Sequence, residues 1–174
     1  MLRRPAAVVA LQAVLVVACI AGSASAAFEG SDYNGPATLL VTFKQRGQAK
    51  QTYTDTGNGF VSANSTDFSM GGFGEFPSVT APMKKTLRGR VYVIKKPADA
   101  ASLNAQAFSV LTASGFYGDV ARSRIGGTHR VSKDGTTVKS AFTLSGRGTV
   151  PVEGPAIPFT FRVVEKVDGE LVLP

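Results

Sequence analysis

The chain has 174 residues, with nineteen Lys and Arg against twelve Asp and Glu for a formal charge of +7, one His, one Cys and no Trp. One His and one Cys cannot assemble the clustered ligands of a transition-metal centre, so no metal is expected. The absence of Trp removes the commonest stacking platform for sugars and argues against a glycosidase.

The first residues, Met1-Leu2-Arg3-Arg4, precede an apolar run from Ala6 to Ile20 and a small-x-small site at Ala24-Ser25-Ala26. That charged, apolar and cleavable order reads as an export signal over residues 1–26. The run is shorter than the ~20 residues a spanning helix needs. Val16-Val17-Ala18-Cys19 gives a second reading, in which a bacterial lipoprotein is cut before Cys19 and anchored to a membrane there. Either way the folded part, residues 27–174, is expected outside the cytoplasm, secreted or periplasmic, as a single β-rich domain. Removing 1–26 takes away Arg3, Arg4 and the only Cys, which leaves a charge of +5 and no intrachain disulfide. A domain of this size buries about 68–70% of its unfolded surface and can hold together by burial alone.

Along the mature chain, apolar and polar residues alternate with the period of a half-buried strand. Asp32-Tyr33-Asn34-Gly35 reads as an Asx turn rather than a calcium loop. Leu39, Val41 and Phe43 alternate with Thr38 and Thr42, and Arg46-Gly47 follows as a turn. Gly57-Asn58-Gly59, Gly71-Gly72-Phe73-Gly74 and Gly146-Arg147-Gly148 lack the lysine and strand-to-helix setting of nucleotide loops and read as turns or bulges, so no cofactor is expected. Asn64-Ser65-Thr66 matches a glycosylation sequon. The Gly- and Pro-rich segment from Gly71 to Pro82 reads as a long loop. Phe68, Met70, Phe73 and Phe76 either cap the core around it or gate an apolar cavity.

Leu87, Val91 and Val93 alternate with Arg88, Arg90 and Tyr92 in a further strand. Near 99–111 a short helix fits, with Asp99 as cap and Leu103, Ala107, Val110 and Leu111 on one face, although residues 108–112 also suit a strand. Ile157, Phe159, Phe161 and Val163 form one face of a late strand with Thr160 and Arg162 on the other, and Asp168-Gly169 reads as a turn. The fold class is therefore all-β and mainly antiparallel, a small β-barrel or β-sandwich of about eight strands. The Arg, Lys and Thr of the polar faces argue against the lipid-facing band of an outer-membrane barrel.

One hairpin permits a geometric deduction. With Asp134-Gly135 as a two-residue turn, opposing residue numbers sum to about 269, a register that follows from the hydrophobic pattern. Val131 then meets Val138, His129 meets Ser140, Gly127 meets Phe142 and Ile125 meets Leu144. On the other face Arg122 opposes Arg147, Arg130 opposes Lys139, and Arg124 lies among Thr128, Thr143 and Ser145, with no acid. Like charges directly opposite destabilise a sheet. An anion held by arginine forks and hydroxyls would offset the repulsion, as would acids on neighbouring strands. The candidate binding residues are thus Arg122, Arg124, Arg130, Lys139 and Arg147, joined by Arg88 and Arg90 if they share the sheet.

His129 beside Ser140 suggests an activated nucleophile, but neither a carboxylate nor an oxyanion hole can be located, and a neutral core histidine is the expectation. No nucleic-acid motif is present. The functional expectation is a non-catalytic binding module for an anionic or amphipathic ligand, whether polyanion, lipid or small molecule. The alternative is a structural or assembly protein of the envelope or extracellular matrix.

Overall fold

The computed structural model describes residues 31–172 apart from 65, 73–75 and 88. The export signal, Cys19, Phe73 and Arg88 lie outside the described residues. Eight antiparallel strands follow one another as neighbours, and the last pairs with the first to close a barrel. They are β1 (Ser31–Gln45), β2 (Gln51–Ala63), β3 (Asp67–Gly72), β4 (Val79–Lys85), β5 (Val91–Ile94), β6 (Asp119–Val131), β7 (Thr137–Val150) and β8 (Ile157–Leu171), with one helix, α1 (Ala100–Ala113), between β5 and β6. Closure removes the sheet edges that would otherwise invite pairing with another chain.

The inward residues alternate as the period requires. Tyr33, Ala37, Leu39, Val41 and Phe43 of β1 meet Phe159, Phe161, Val163 and Val167 of β8 and Val138, Phe142 and Leu144 of β7. Phe43 stacks on Phe116 with centroids 5.0 Å apart and tilts against Phe159 at 4.7 Å, which plugs the end of the barrel nearest α1. At the opposite end the Tyr33 hydroxyl donates to the Gly135 carbonyl at 3.1 Å.

The β5 strand is only four residues long, so its neighbours outrun it, and α1 occupies the gap. The Thr80 amide of β4 donates to Gln106 Oε1 at 2.8 Å, and Asn104 Nδ2 donates to the Ala121 carbonyl of β6 at 3.2 Å. Two helix amides thus satisfy backbone groups that a longer β5 would have bonded. The helix starts where expected: the Asp99 carboxylate accepts from the Ala101 and Ser102 amides, and Leu103, Ala107, Val110 and Leu111 are buried. It ends in a Schellman arrangement, with the Gly115 amide donating to Thr112 and the Phe116 amide to Leu111 around a left-handed Gly115 (φ 79).

The hairpin register is as deduced, with every pair from Arg122–Arg147 to Val131–Val138 on the same sum. The turn itself is wider. Ser132 and Thr137 make the last ladder bond, and the loop between is tied by Asp134, whose carboxylate accepts from the Ser132 hydroxyl and from the Thr136 amide and hydroxyl. Adding one residue to each side leaves the sum unchanged.

Several sequence expectations are corrected. Gly71 to Pro82 is not one loop, because Gly71 and Gly72 belong to β3 and Val79 to Pro82 to β4. Pro82 is tolerated because its carbonyl accepts from Lys95, just past the end of β5, so its missing amide falls at the margin of that ladder. Phe68 and Met70 are core residues with no exposed surface. Asp32 to Gly35 is strand, not turn. The glycines at 57, 59, 146 and 148 are strand residues as well, and Asp168-Gly169 lies inside β8. Most of these glycines face a crowded interior: a Cβ at Gly146 would lie 2.7 Å from the Phe161 ring, and one at Gly169 would lie 2.9 Å from Tyr33 Cβ. The expected face of β5 is inverted, since Tyr92 and Ile94 point inward and Val91 and Val93 are half-buried outside. Leu87 sits in the preceding turn, fully exposed. A one-residue offset reverses every side chain of a strand, and this strand is too short for alternation to fix its phase.

Candidate functional site

Each sequence-predicted cation of the hairpin is exposed, and the register places Arg122 opposite Arg147 and Arg130 opposite Lys139. A shift in the ladder between Val120 and Arg122 resets the phase of β6, so that Val120 packs against the core while Arg122 points out. Arg124 Nε donates to the Ser145 hydroxyl at 3.2 Å. Arg90 is exposed just before β5, where its carbonyl accepts from the Val131 amide at 3.0 Å. It therefore adjoins the Arg130 end of the hairpin.

What the hairpin alone could not show is what its neighbours add. At the turn end, β8 brings Asp168 opposite Lys139 and Glu170 opposite Thr137, so acids stand beside Arg130 and Lys139. At the α1 end it brings none. There one row across four strands reads Arg122, Arg147, Thr160, Lys44, and the next reads Arg124, Ser145, Arg162, Thr42. Five cations and three hydroxyls share two adjacent rows without an acid. With strands about 4.8 Å apart and same-face residues about 6.7 Å apart, the patch measures roughly 15 by 7 Å. Its charges thus lie within about two Debye lengths of one another at physiological salt. Asp119 marks the border one row further on, opposite Thr149. On the other side the next row is uncharged, Gly126, Thr143, Val164 and Leu40, with Leu40 partly exposed.

Sequence reasoning had Arg162 on a polar face and left Lys44 aside. Neither could be joined to the hairpin, because their rows depend on the β7–β8 and β8–β1 registers.

His129 and Ser140 form the expected buried pair, with Nδ1 2.7 Å from Oγ. The imidazole is wholly buried among the rings of Tyr33, Phe68 and Tyr92, 5.9 to 6.3 Å away. Burial lowers its pKa to about 4, so it is neutral at physiological pH. Ser140 is 3% exposed. A substrate carbonyl has no approach to this pair, whose role is to satisfy two polar groups inside the core.

A third polar feature was missed. Glu165 continues the inward face of β8 between Val163 and Val167 and is 5% exposed. Burial raises its pKa to about 7. The strict alternation running from Phe159 to Gly169 was the available signal: a glutamate in phase with five apolar or small residues must either face the core or break the strand. Glu165 lines a small cleft beside Thr38, Leu39, Asp55, Asn58 and Phe76.

Among the described residues no three His, Cys, Asp or Glu side chains group as metal ligands, and no helix is long and apolar enough to cross a membrane. A scan against protein-family models finds no match, and a search of curated proteins finds no similar chain.

Proposed function

We propose that this chain is an exported binding barrel that holds a polyanionic ligand on its outer face, across β6, β7, β8 and β1 at the α1 end. The observation that carries this reading is the pair of acid-free rows holding Arg122, Arg124, Arg147, Arg162 and Lys44. Like charges packed this closely repel, and the sheet retains them without an acid in either row. Arginine forks flanked by Thr and Ser hydroxyls suit phosphate, sulfate or carboxylate oxygens, which accept several charge-assisted hydrogen bonds at once. The interior does not favour a large amphipathic guest: apolar side chains fill it, and the cleft at Glu165 has a volume of about 40 Å³. Leu40 and Val164 beside the cations offer a short apolar strip to a ligand lying on the surface.

The test is retention on a heparin matrix across a salt gradient. Wild type is compared with Arg122→Ser/Arg147→Ser/Arg162→Ser and with the equal-charge control Lys50→Ser/Lys96→Ser/Lys133→Ser, all three control lysines being exposed. Retention should drop sharply in the first variant and only slightly in the second, because each lost anion contact reduces the counterions released. Equal loss in both would show diffuse charge attraction and remove the assignment.

A further inference from the structure

Six large apolar side chains are exposed among the described residues: Leu40, Leu87, Phe108, Tyr117, Val152 and Val172. Four of them frame the acid-free basic rows. Leu40 belongs to the adjoining row on the side of the hairpin turn. Tyr117, 67% exposed, and Val152 stand at the α1 end. Each lies five residues along the chain from a cation of the first row, Arg122 and Arg147 respectively, and so within about 18 Å of it. Phe108 follows Asn104 by one helical turn on the same side of α1, and Asn104 donates to the Ala121 carbonyl beside Arg122. Leu87 and Val172 lie at the opposite end. The helix itself extends the frame: none of its residues is charged, and its exposed positions other than Phe108 are all Ala or Ser. A surface helix ordinarily carries charges on that side. Arg46, whose amide donates to the Pro158 carbonyl at 2.9 Å, adds a sixth cation at the rim, where the bordering acids are Asp119 and Glu153.

The geometry points to the surface of an anionic phospholipid bilayer as the occupant of this face, with Tyr117 and Val152 entering the headgroup layer and the basic rows meeting lipid phosphates behind them. The inference rests on the anion-binding reading above and names its ligand. A soluble polyanion offers charge but no medium for exposed rings and aliphatic groups to enter. A bilayer interface offers both: its phosphates attract Lys and Arg, and the boundary beneath them takes Tyr and aliphatic side chains. An uncharged helix flank approaches that boundary without stripping water from charges. Glu153, next to Val152 in the same loop, limits the depth, because a carboxylate is costly to move out of water. A second copy of this chain fits poorly, since a two-fold contact through the frame would bring two sets of basic rows together.

The chain has no Trp, so a single introduced indole reports without background. Tyr117→Trp and Leu87→Trp are mixed with vesicles of phosphatidylcholine alone or of phosphatidylcholine and phosphatidylglycerol in equal parts. All variants are compared in the same exported form, so that residues 1–30 contribute equally to each. The emission of Tyr117→Trp should shift to the blue with the mixed vesicles only, and that of Leu87→Trp with neither. Cosedimentation with the mixed vesicles should weaken about tenfold or more in Tyr117→Ser/Val152→Ser, because apolar area no longer enters the interface. Retention of that variant on heparin should equal wild type, since every cation remains. Arg122→Ser/Arg147→Ser/Arg162→Ser should lose both vesicles and heparin.

Failure of wild type to bind the mixed vesicles, while heparin still separates it from the arginine variant, overturns the bilayer and leaves the polyanion reading standing. Equal loss on heparin in the arginine variant and its lysine control removes that reading, and this inference with it. Equal binding to neutral and mixed vesicles, or vesicle binding unchanged in Tyr117→Ser/Val152→Ser, also overturns the proposal. So does a concentration-dependent dimer in sedimentation velocity that the same double variant abolishes, because a second copy would then occupy the frame. Both serine substitutions fall on exposed loop positions, and an unchanged thermal midpoint checks their folding. Where the midpoint falls, Tyr117→Trp, which keeps a ring, decides, and an unshifted emission there overturns the proposal.

Discussion

Two buried groups with opposite titrations should hide each other in the pH dependence of stability, and Glu165→Gln should uncover the one that remains. Burial raises Glu165 from 4.5 to about 7. This carboxyl is neutral in both states below 4.5. As pH rises the unfolded chain ionises first, so stability falls until about pH 7 and is level above it. The full loss is about 3 kcal/mol. His129 works the other way, because burial lowers it from 6.5 to about 4. Its contribution is complete above 6.5 and is lost as pH falls toward 4, again by about 3 kcal/mol. Between 4.5 and 6.5 the two slopes are equal and opposite, and their sum in wild type is level. Asp134 stays out of this window, since the Ser132 hydroxyl, then the Thr136 amide and hydroxyl, lower its pKa to about 2. The assay is urea unfolding at half-unit steps from pH 4 to 8, with the slope on denaturant checked for constancy. Between pH 4.5 and 6.5 Glu165→Gln should gain about 3 kcal/mol, while wild type stays level there. A difference between variant and wild type that does not change with pH would refute the burial argument for Glu165.

Asn104→Ala should cost about 1–3 kcal/mol, because it removes the donor to the Ala121 carbonyl and the partner of the Ser123 hydroxyl. Thermal unfolding measures the loss, and faster amide exchange confined to the first half of β6 would locate it. Gly148→Ala should destabilise by about 1–3 kcal/mol, since the new Cβ would meet the Asp119 carbonyl and lie 2.7 Å from the Phe159 ring; an unchanged urea midpoint would show that the wall yields there. On the outer face, the triple arginine variant should elute from heparin at much lower salt than wild type with its melting temperature unchanged or raised, because like charges have been removed from adjacent positions.

Local pattern determined much of this protein. Period-2 alternation marked β1 and β8, the β6–β7 register followed from matching apolar residues about one turn, and Asp99 with four apolar residues at helical spacing set α1. Pattern alone failed where the signal was short or the residue type ambiguous. Four residues could not phase β5, and strand glycines such as Gly146 and Gly148 resemble turn residues until the Phe159 and Phe161 rings are seen lying across them. The candidate sites depended on tertiary structure for a different reason. A row across a barrel is a set of registers between strands distant in sequence, so Lys44 could join Arg122 and Arg147 only once β8 had closed on β1. Alternation decides which face a side chain takes. Closure decides its neighbours, and with them whether a charge is balanced, repelled or left to bind.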